Sequence, residues 1–120
     1  MSKTACPIVF KERVFMIYDQ VRETMVNWKK YVRNRLETRV SCAFSEALSL
    51  LLEADAVPSL RKRRLGETNT KLSYIQVLLE EAHKDKALSD GFWAELSYNL
   101  TILRQDISDY IIERFSKKNS

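Results

Sequence analysis

The sequence predicts an all-α fold, an antiparallel up-down bundle of four amphipathic helices. Three observations point there. Apolar residues recur with the i, i+3, i+4, i+7 spacing of a helix face in four successive segments. Glycine and proline number two each, which leaves little turn chemistry for a many-stranded β fold. The connections between the four segments are short, and short connections favour antiparallel neighbours. The 120 residues fit one domain, 1–120, and are too few for two independent cores.

Helix 1 is expected over about 9–27, where Val14, Ile17, Tyr18, Val21, Met25 and Trp28 share a face and Asp19, Gln20, Arg22 and Glu23 fall between them. The block KKYVRNR then interrupts the apolar pattern. Helix 2 is expected over about 34–55, with Leu36, Val40, Ala43, Phe44, Ala47 and Leu51 in its stripe. Leu48, Leu50 and Leu52 widen that stripe to more than half the surface. So broad an apolar face belongs at the centre of a bundle or inside an oligomer. Pro58 disfavours helical geometry in Val57 and has no amide hydrogen, so a boundary falls there.

Ser59 is the expected cap of helix 3, over about 59–86, whose stripe is Leu65, Leu72, Ile75, Leu79 and Ala82. Gly66 weakens its first turns. Ser89 is the expected cap of helix 4, over about 90–116, and Asp90 suits the positive end of the helix dipole. Phe92, Leu96, Leu100, Leu103, Ile107, Tyr110 and Ile111 line one face of that helix. The tail SKKNS is polar and expected to fray.

Several kinds of chemistry lack their residues. The one histidine, His83, has no second His or Cys at ligand spacing, so it reads as a surface or helix-end residue rather than a zinc ligand. Glu80 and His83 make one ExxH spacing, whereas a di-iron bundle needs two. Neither GxxxxGK[ST] nor GxGxxG occurs. No nucleophile stands beside a base, so no catalytic constellation, metal or cofactor is expected. Cys6 and Cys42 lie outside CxxC spacing and read as free thiols. The first residues lack the long apolar run of a signal peptide, and the most apolar stretch, Ala47 to Leu52, is far shorter than the roughly 20 residues of a membrane span. The expected location is the cytoplasm.

Charge is the informative feature. The net charge is +4, yet Lys29 to Arg39 holds five basic residues and one acid, and Arg61 to Arg64 holds four basic residues and no acid. Arg61, Lys62, Arg63 and Arg64 fall in the first turns of helix 3, and Arg33 and Arg35 at the expected start of helix 2. Helix N-termini disfavour cations, so each placement opposes a local preference, and such breaches tend to mark functional sites. A polyanion would relieve them through charge neutralisation and counterion release. Lys29, Lys30, Arg33, Arg35, Arg39, Arg61, Lys62, Arg63 and Arg64 are therefore candidates for contact with nucleic acid or an acidic protein. The competing reading is that they solvate the bundle ends or pair with acids of a neighbouring chain. Tyr31, inside the first basic block, fits no stripe and suits either stacking on a base or packing on a neighbouring subunit. The two clusters sit at opposite ends of helix 2, about 30 Å apart at ~1.5 Å rise per residue.

Four stretches carry a family resemblance: WKKYVRNRLETRV (Trp28 to Val40), LSLLLEAD (Leu48 to Asp55), RKRRLGETNTKLSYIQVLLEEAHKDKALS (Arg61 to Ser89) and FWAELSYNL (Phe92 to Leu100). In order and spacing they resemble the accessory variability determinant (Avd) proteins of diversity-generating retroelements. Those are four-helix bundles related in fold to proteins encoded in intervening sequences of bacterial 23S ribosomal RNA genes. Two positions depart from the family's pattern. Lys29 stands where it usually has proline, and Arg104 to Ile111 reads RQDISDYI where it tends to show Gly-Arg and Gly-Gly-Trp. The resemblance implies a basic, ring- or barrel-like homopentamer that binds the retroelement's reverse transcriptase and template RNA. It implies support of error-prone copying without an active site. The alternative is a self-associating scaffold of the ribosomal intervening-sequence type, with no polymerase partner.

Overall fold

The computed structural model describes residues 7–116. Four helices follow in order: α1 (Pro7–Met25), α2 (Lys30–Ala56), α3 (Arg61–Lys84) and α4 (Asp90–Ile111). A 3₁₀ turn, Pro58–Leu60, precedes α3, and a π-helical turn, Ile112–Ser116, follows α4. Each helix packs on its neighbour in the chain, and α1 closes against α4. The result is a compact all-α four-helix bundle with up-down topology, 51 × 24 × 19 Å across its Cα atoms. Cys6 and the tail beyond Ser116 lie outside the described residues, while Cys42 is a free, exposed thiol.

The helices form where the apolar period puts one face inward. Phe10, Val14, Ile17, Val21 and Met25 of α1 meet Leu36, Val40, Phe44, Ala47 and Leu51 of α2, with Leu65, Leu72, Ile75 and Leu79 from α3 and Leu96, Leu100, Leu103 and Ile107 from α4. Burying each large side chain contributes about 1.5–3 kcal/mol. Two aromatic pairs join elements. Tyr18 stacks on Phe44 at 4.7 Å between centroids, and Phe10 meets Tyr110 edge-on at 5.8 Å. Alongside the apolar core, α3 and α4 share a polar seam. Asn69 Nδ2 donates to Ser108 Oγ at 2.9 Å, and Gln76 Nε2 donates to Ser97 Oγ at 3.1 Å and Thr101 Oγ1 at 3.3 Å.

The helix limits differ from those expected, each for a local reason. α2 begins at Lys30, not Asn34. Val32 is buried and continues the row Val32, Leu36, Val40, while Lys30, Tyr31, Arg33, Asn34 and Arg35 all point outward. The block KKYVRNR thus interrupts composition, not helical period. Trp28 is buried too, but in the connection after α1 rather than in the helix. Arg35 consequently sits past the first turn, where the dipole penalty has largely faded, and Arg33, the fourth residue, closes that turn.

α3 begins at Arg61, and Ser59 does not cap it. The amides of Leu60 and Arg61 are already satisfied by the carbonyl oxygens of Val57 and Pro58 in the 3₁₀ turn. α3 ends at Lys84 rather than Lys86. Lys86 takes a positive φ of 66°, its amide donates to His83 O, and the Ala87 amide donates to Ala82 O. Those two bonds make a Schellman stop, with lysine where glycine is usual. Ser89 does cap α4, its Oγ accepting from the Phe92 amide at 3.2 Å. α4 itself ends at Ile111, short of the expected 116, where the backbone widens into the π turn. No helix among the described residues is long and apolar enough to cross a membrane.

Candidate functional site

The antiparallel topology gathers the α1–α2 and α3–α4 connections at one end of the bundle and the α2–α3 turn at the other. The first basic cluster lies at the former. Lys29 and Lys30 are exposed, and Tyr31 is 57% exposed. Trp28, Lys29, Tyr31, Asp85 and Lys86 border a recess of about 230 Å³ there. Arg33 is drawn along its own helix to Glu37 at 3.3 Å. Arg35 crosses to α3, where it hydrogen-bonds Asp85 and lies 4.0 Å from Glu81. The hydrogen bond to Asp85, with the charges of Asp85 and Glu81, raises the Arg35 pKa further above its ordinary value. Arg39 is three turns into α2, about 15 Å along the axis from Lys29 at 1.5 Å per residue. It does not join the end cluster.

The second cluster surrounds the α2–α3 turn and is largely occupied. Arg61 donates from Nε to Ala54 O at 2.7 Å and from Nη2 to Asp55 O at 3.0 Å. Arg64 pairs with Glu53 at 2.6 Å and Glu67 at 2.8 Å. Those bonds, Glu67 first and then Glu53, raise its pKa. Arg63, outermost, lies 3.5 Å from Glu67. The expected conflict between these cations and the α3 dipole is therefore offset. The start of α3 sits against the negative end of α2, and the acids of both helices face the arginines. The partners belong to the same chain rather than to a neighbouring one.

Of the nine candidates, Lys29, Lys30, Arg39 and Lys62 are exposed and make no ion pair among the described residues. Sequence reasoning passed over three further side chains: Lys71, Tyr74 and Arg104. Tyr74 and Val77 are apolar yet lie off the α3 stripe, and that mismatch was the available signal.

His83 closes the loop end of the bundle. Its Nε2 is 2.7 Å from Asp90 Oδ1, and its ring stacks on Trp93 at 5.7 Å. It is a helix-end residue, as expected. No group of three or more His, Cys, Asp or Glu among the described residues could hold a metal ion. A separate groove of about 220 Å³ opens between α1 and α4, where Met16, Tyr98 and Ile102 are exposed.

No protein family, curated protein or solved structure compared with this chain matches it. The fold and the placement of its charges are what bear on function.

Proposed function

We propose that this bundle is a non-catalytic accessory subunit of a diversity-generating retroelement. In that role it binds the element's reverse transcriptase and template RNA through basic surfaces, and it supports mutagenic copying of the template. It works in the cytoplasm as a ring- or barrel-like homopentamer of the Avd kind. The observation that carries the reading is the set Lys29, Lys30, Arg39 and Lys62, four exposed cations with no acid partner among the described residues. A cation free of internal partners is available to phosphate, and contact releases the condensed counterions. The resemblance of Trp28 to Val40 and of Arg61 to Ser89 to the Avd pattern supports the same role, because those two stretches contain all nine basic candidates.

The test is co-purification with the polymerase and its RNA. Lys29→Glu, Lys30→Glu and Lys62→Glu together should abolish the complex while helicity is kept and melting is no lower than in the parent, since acids suit these helix starts. A complex that survives the triple reversal rejects the assignment. Reversal at Arg63 and Arg64 is a poorer probe, since Arg64 also ties α3 to α2 through Glu53.

The exposed Met16, Tyr98 and Ile102 on the α1–α4 groove favour a second reading, a scaffold whose partner is another copy of itself. A neighbouring reverse-transcriptase gene with a pair of near-identical repeats decides for the first. A location inside a ribosomal RNA gene decides for the second.

A further inference from the structure

Away from both ends of the bundle, two grooves run side by side across α2, α3 and α4. One, of about 440 Å³, lies between α2 and α3 and is bordered by Arg39, Cys42, Glu46, Lys71 and Tyr74. The other, also of about 440 Å³, lies between α3 and α4 and is bordered by Asn69, Ser73, Tyr74, Val77 and Arg104. Tyr74 borders both and forms the ridge between them. It is 40% exposed, and Val77 beside it is 51% exposed.

Positive charge is in excess on both flanks of that ridge. Lys71 Nζ lies 5.5 Å from the centre of the Tyr74 ring and 2.6 Å from Glu46, the one acid bordering either groove. Arg39 and Arg104 have no acid partner among the described residues. Arg104 is positioned by the polar seam, its Nη1 donating to Gln76 Oε1 at 3.2 Å, while Gln76 is itself held by Ser97 and Thr101. Its Nε is buried and has no acceptor among the described residues, which leaves the outer nitrogens to face the groove.

We propose that this face binds single-stranded nucleic acid, with a base stacked on Tyr74 and the neighbouring phosphates on Arg39 and Arg104. Every base has a π-face, and aromatic ridges beside cationic grooves are how unpaired strands are held without sequence readout. A duplex keeps its bases stacked inside and cannot offer one to the ring. The exposed apolar side chains here, Tyr74 and Val77, stand on the ridge, and cations lie on both sides of it, an arrangement that suits a stacked base between phosphates. The inference rests on the nucleic-acid reading above but moves the contact from the bundle ends to the middle of one face.

The experiment is fluorescence anisotropy of the full chain with a labelled oligouridine of about 15 nucleotides, across a salt series. Tyr74→Ala should weaken binding roughly 5- to 100-fold while Tyr74→Phe retains it. Arg39→Gln and Arg104→Gln should each lower the slope of log affinity against log salt by about 0.7. Circular dichroism confirms that each variant is folded, and exposed Arg39 serves if Arg104→Gln is not. Wild-type binding that Tyr74→Ala leaves intact and reversal of Lys29, Lys30 and Lys62 abolishes overturns this inference and leaves the end-surface reading standing. A wild-type chain that ignores the oligonucleotide overturns both. Equal, Tyr74-dependent binding of polyglutamate or of a duplex assigns the face to an acidic protein or to double-stranded nucleic acid, and overturns the proposal.

Discussion

Arg61 Nε donates to the carbonyl oxygen of Ala54 at 2.7 Å, so the first residue of α3 caps the last turn of α2. The final carbonyls of a helix have no partner within it, and a cation beside them also meets the negative end of the dipole. Arg61→Ala should therefore lower stability by about 1 kcal/mol, less than a buried charged bond because the site is partly exposed. The melting temperature should fall by roughly 3–6 °C. Arg61→Lys keeps the charge but loses the two-pronged geometry, and should fall between parent and alanine variant.

Lys86 holds a left-handed backbone conformation in the stop after α3. Its side chain is exposed and makes no ion pair among the described residues. Lys86→Gly should stabilise the bundle by about 0.5–1 kcal/mol, because glycine adopts positive φ without a Cβ clash. A denaturant titration would show the midpoint rising at constant slope. No rise would mean the conformation carries no strain.

Two serines that look alike in sequence should behave differently. Ser89→Ala removes the bond to the Phe92 amide and should cost about 1 kcal/mol. Ser59→Ala removes no cap and should stay within about 0.5 kcal/mol of the parent. Equal losses in thermal melts would contradict the 3₁₀ entry to α3.

Phe44 is fully buried and stacked on Tyr18. Phe44→Ala should cost about 3–5 kcal/mol, enough to bring a domain of ordinary stability near unfolding at 37 °C. Calorimetry would check it.

How a basic side chain is engaged should set its salt signature. Arg39→Gln should reduce the salt slope of oligonucleotide binding by about 0.7. Arg35→Gln should leave the slope unchanged, since Arg35 is already occupied by Asp85. A larger change at Arg35 would show that the internal pair opens for the ligand.

The fold was legible wherever period decided. Leu96, Leu100, Leu103 and Ile107 mark α4, and Ser89 marks its start, because both signals are local. The start of α2 was not read correctly because Val32 is a single apolar residue among Lys29, Lys30, Arg33 and Arg35. Burial of Val32 depends on the other helices, which a local window does not contain. Pairing of charges is hidden from a linear reading for the same reason. Arg35 finds Asp85 fifty positions away, and Arg64 finds Glu53 across a turn, so counting bases within a segment overstates what is free. The Arg39, Tyr74 and Arg104 face joins three helices and has no linear motif at all.

The polar seam between α3 and α4 has a bearing on alignment. Asn69 and Gln76 stand seven residues apart, and so do Thr101 and Ser108, which accept from them in antiparallel order. Rows of leucine tolerate a slide of one turn, about 5.4 Å, since one leucine replaces another. The same slide would bring Asn69 opposite Arg104 or Ile112, neither of which carries a hydroxyl. Gln76 already spans Ser97 and Thr101 and tolerates a slip toward Ser97, so Asn69 is the tooth that decides. The seam therefore acts as a key cut for one axial register. It penalises the slipped bundles that the apolar pattern alone would permit.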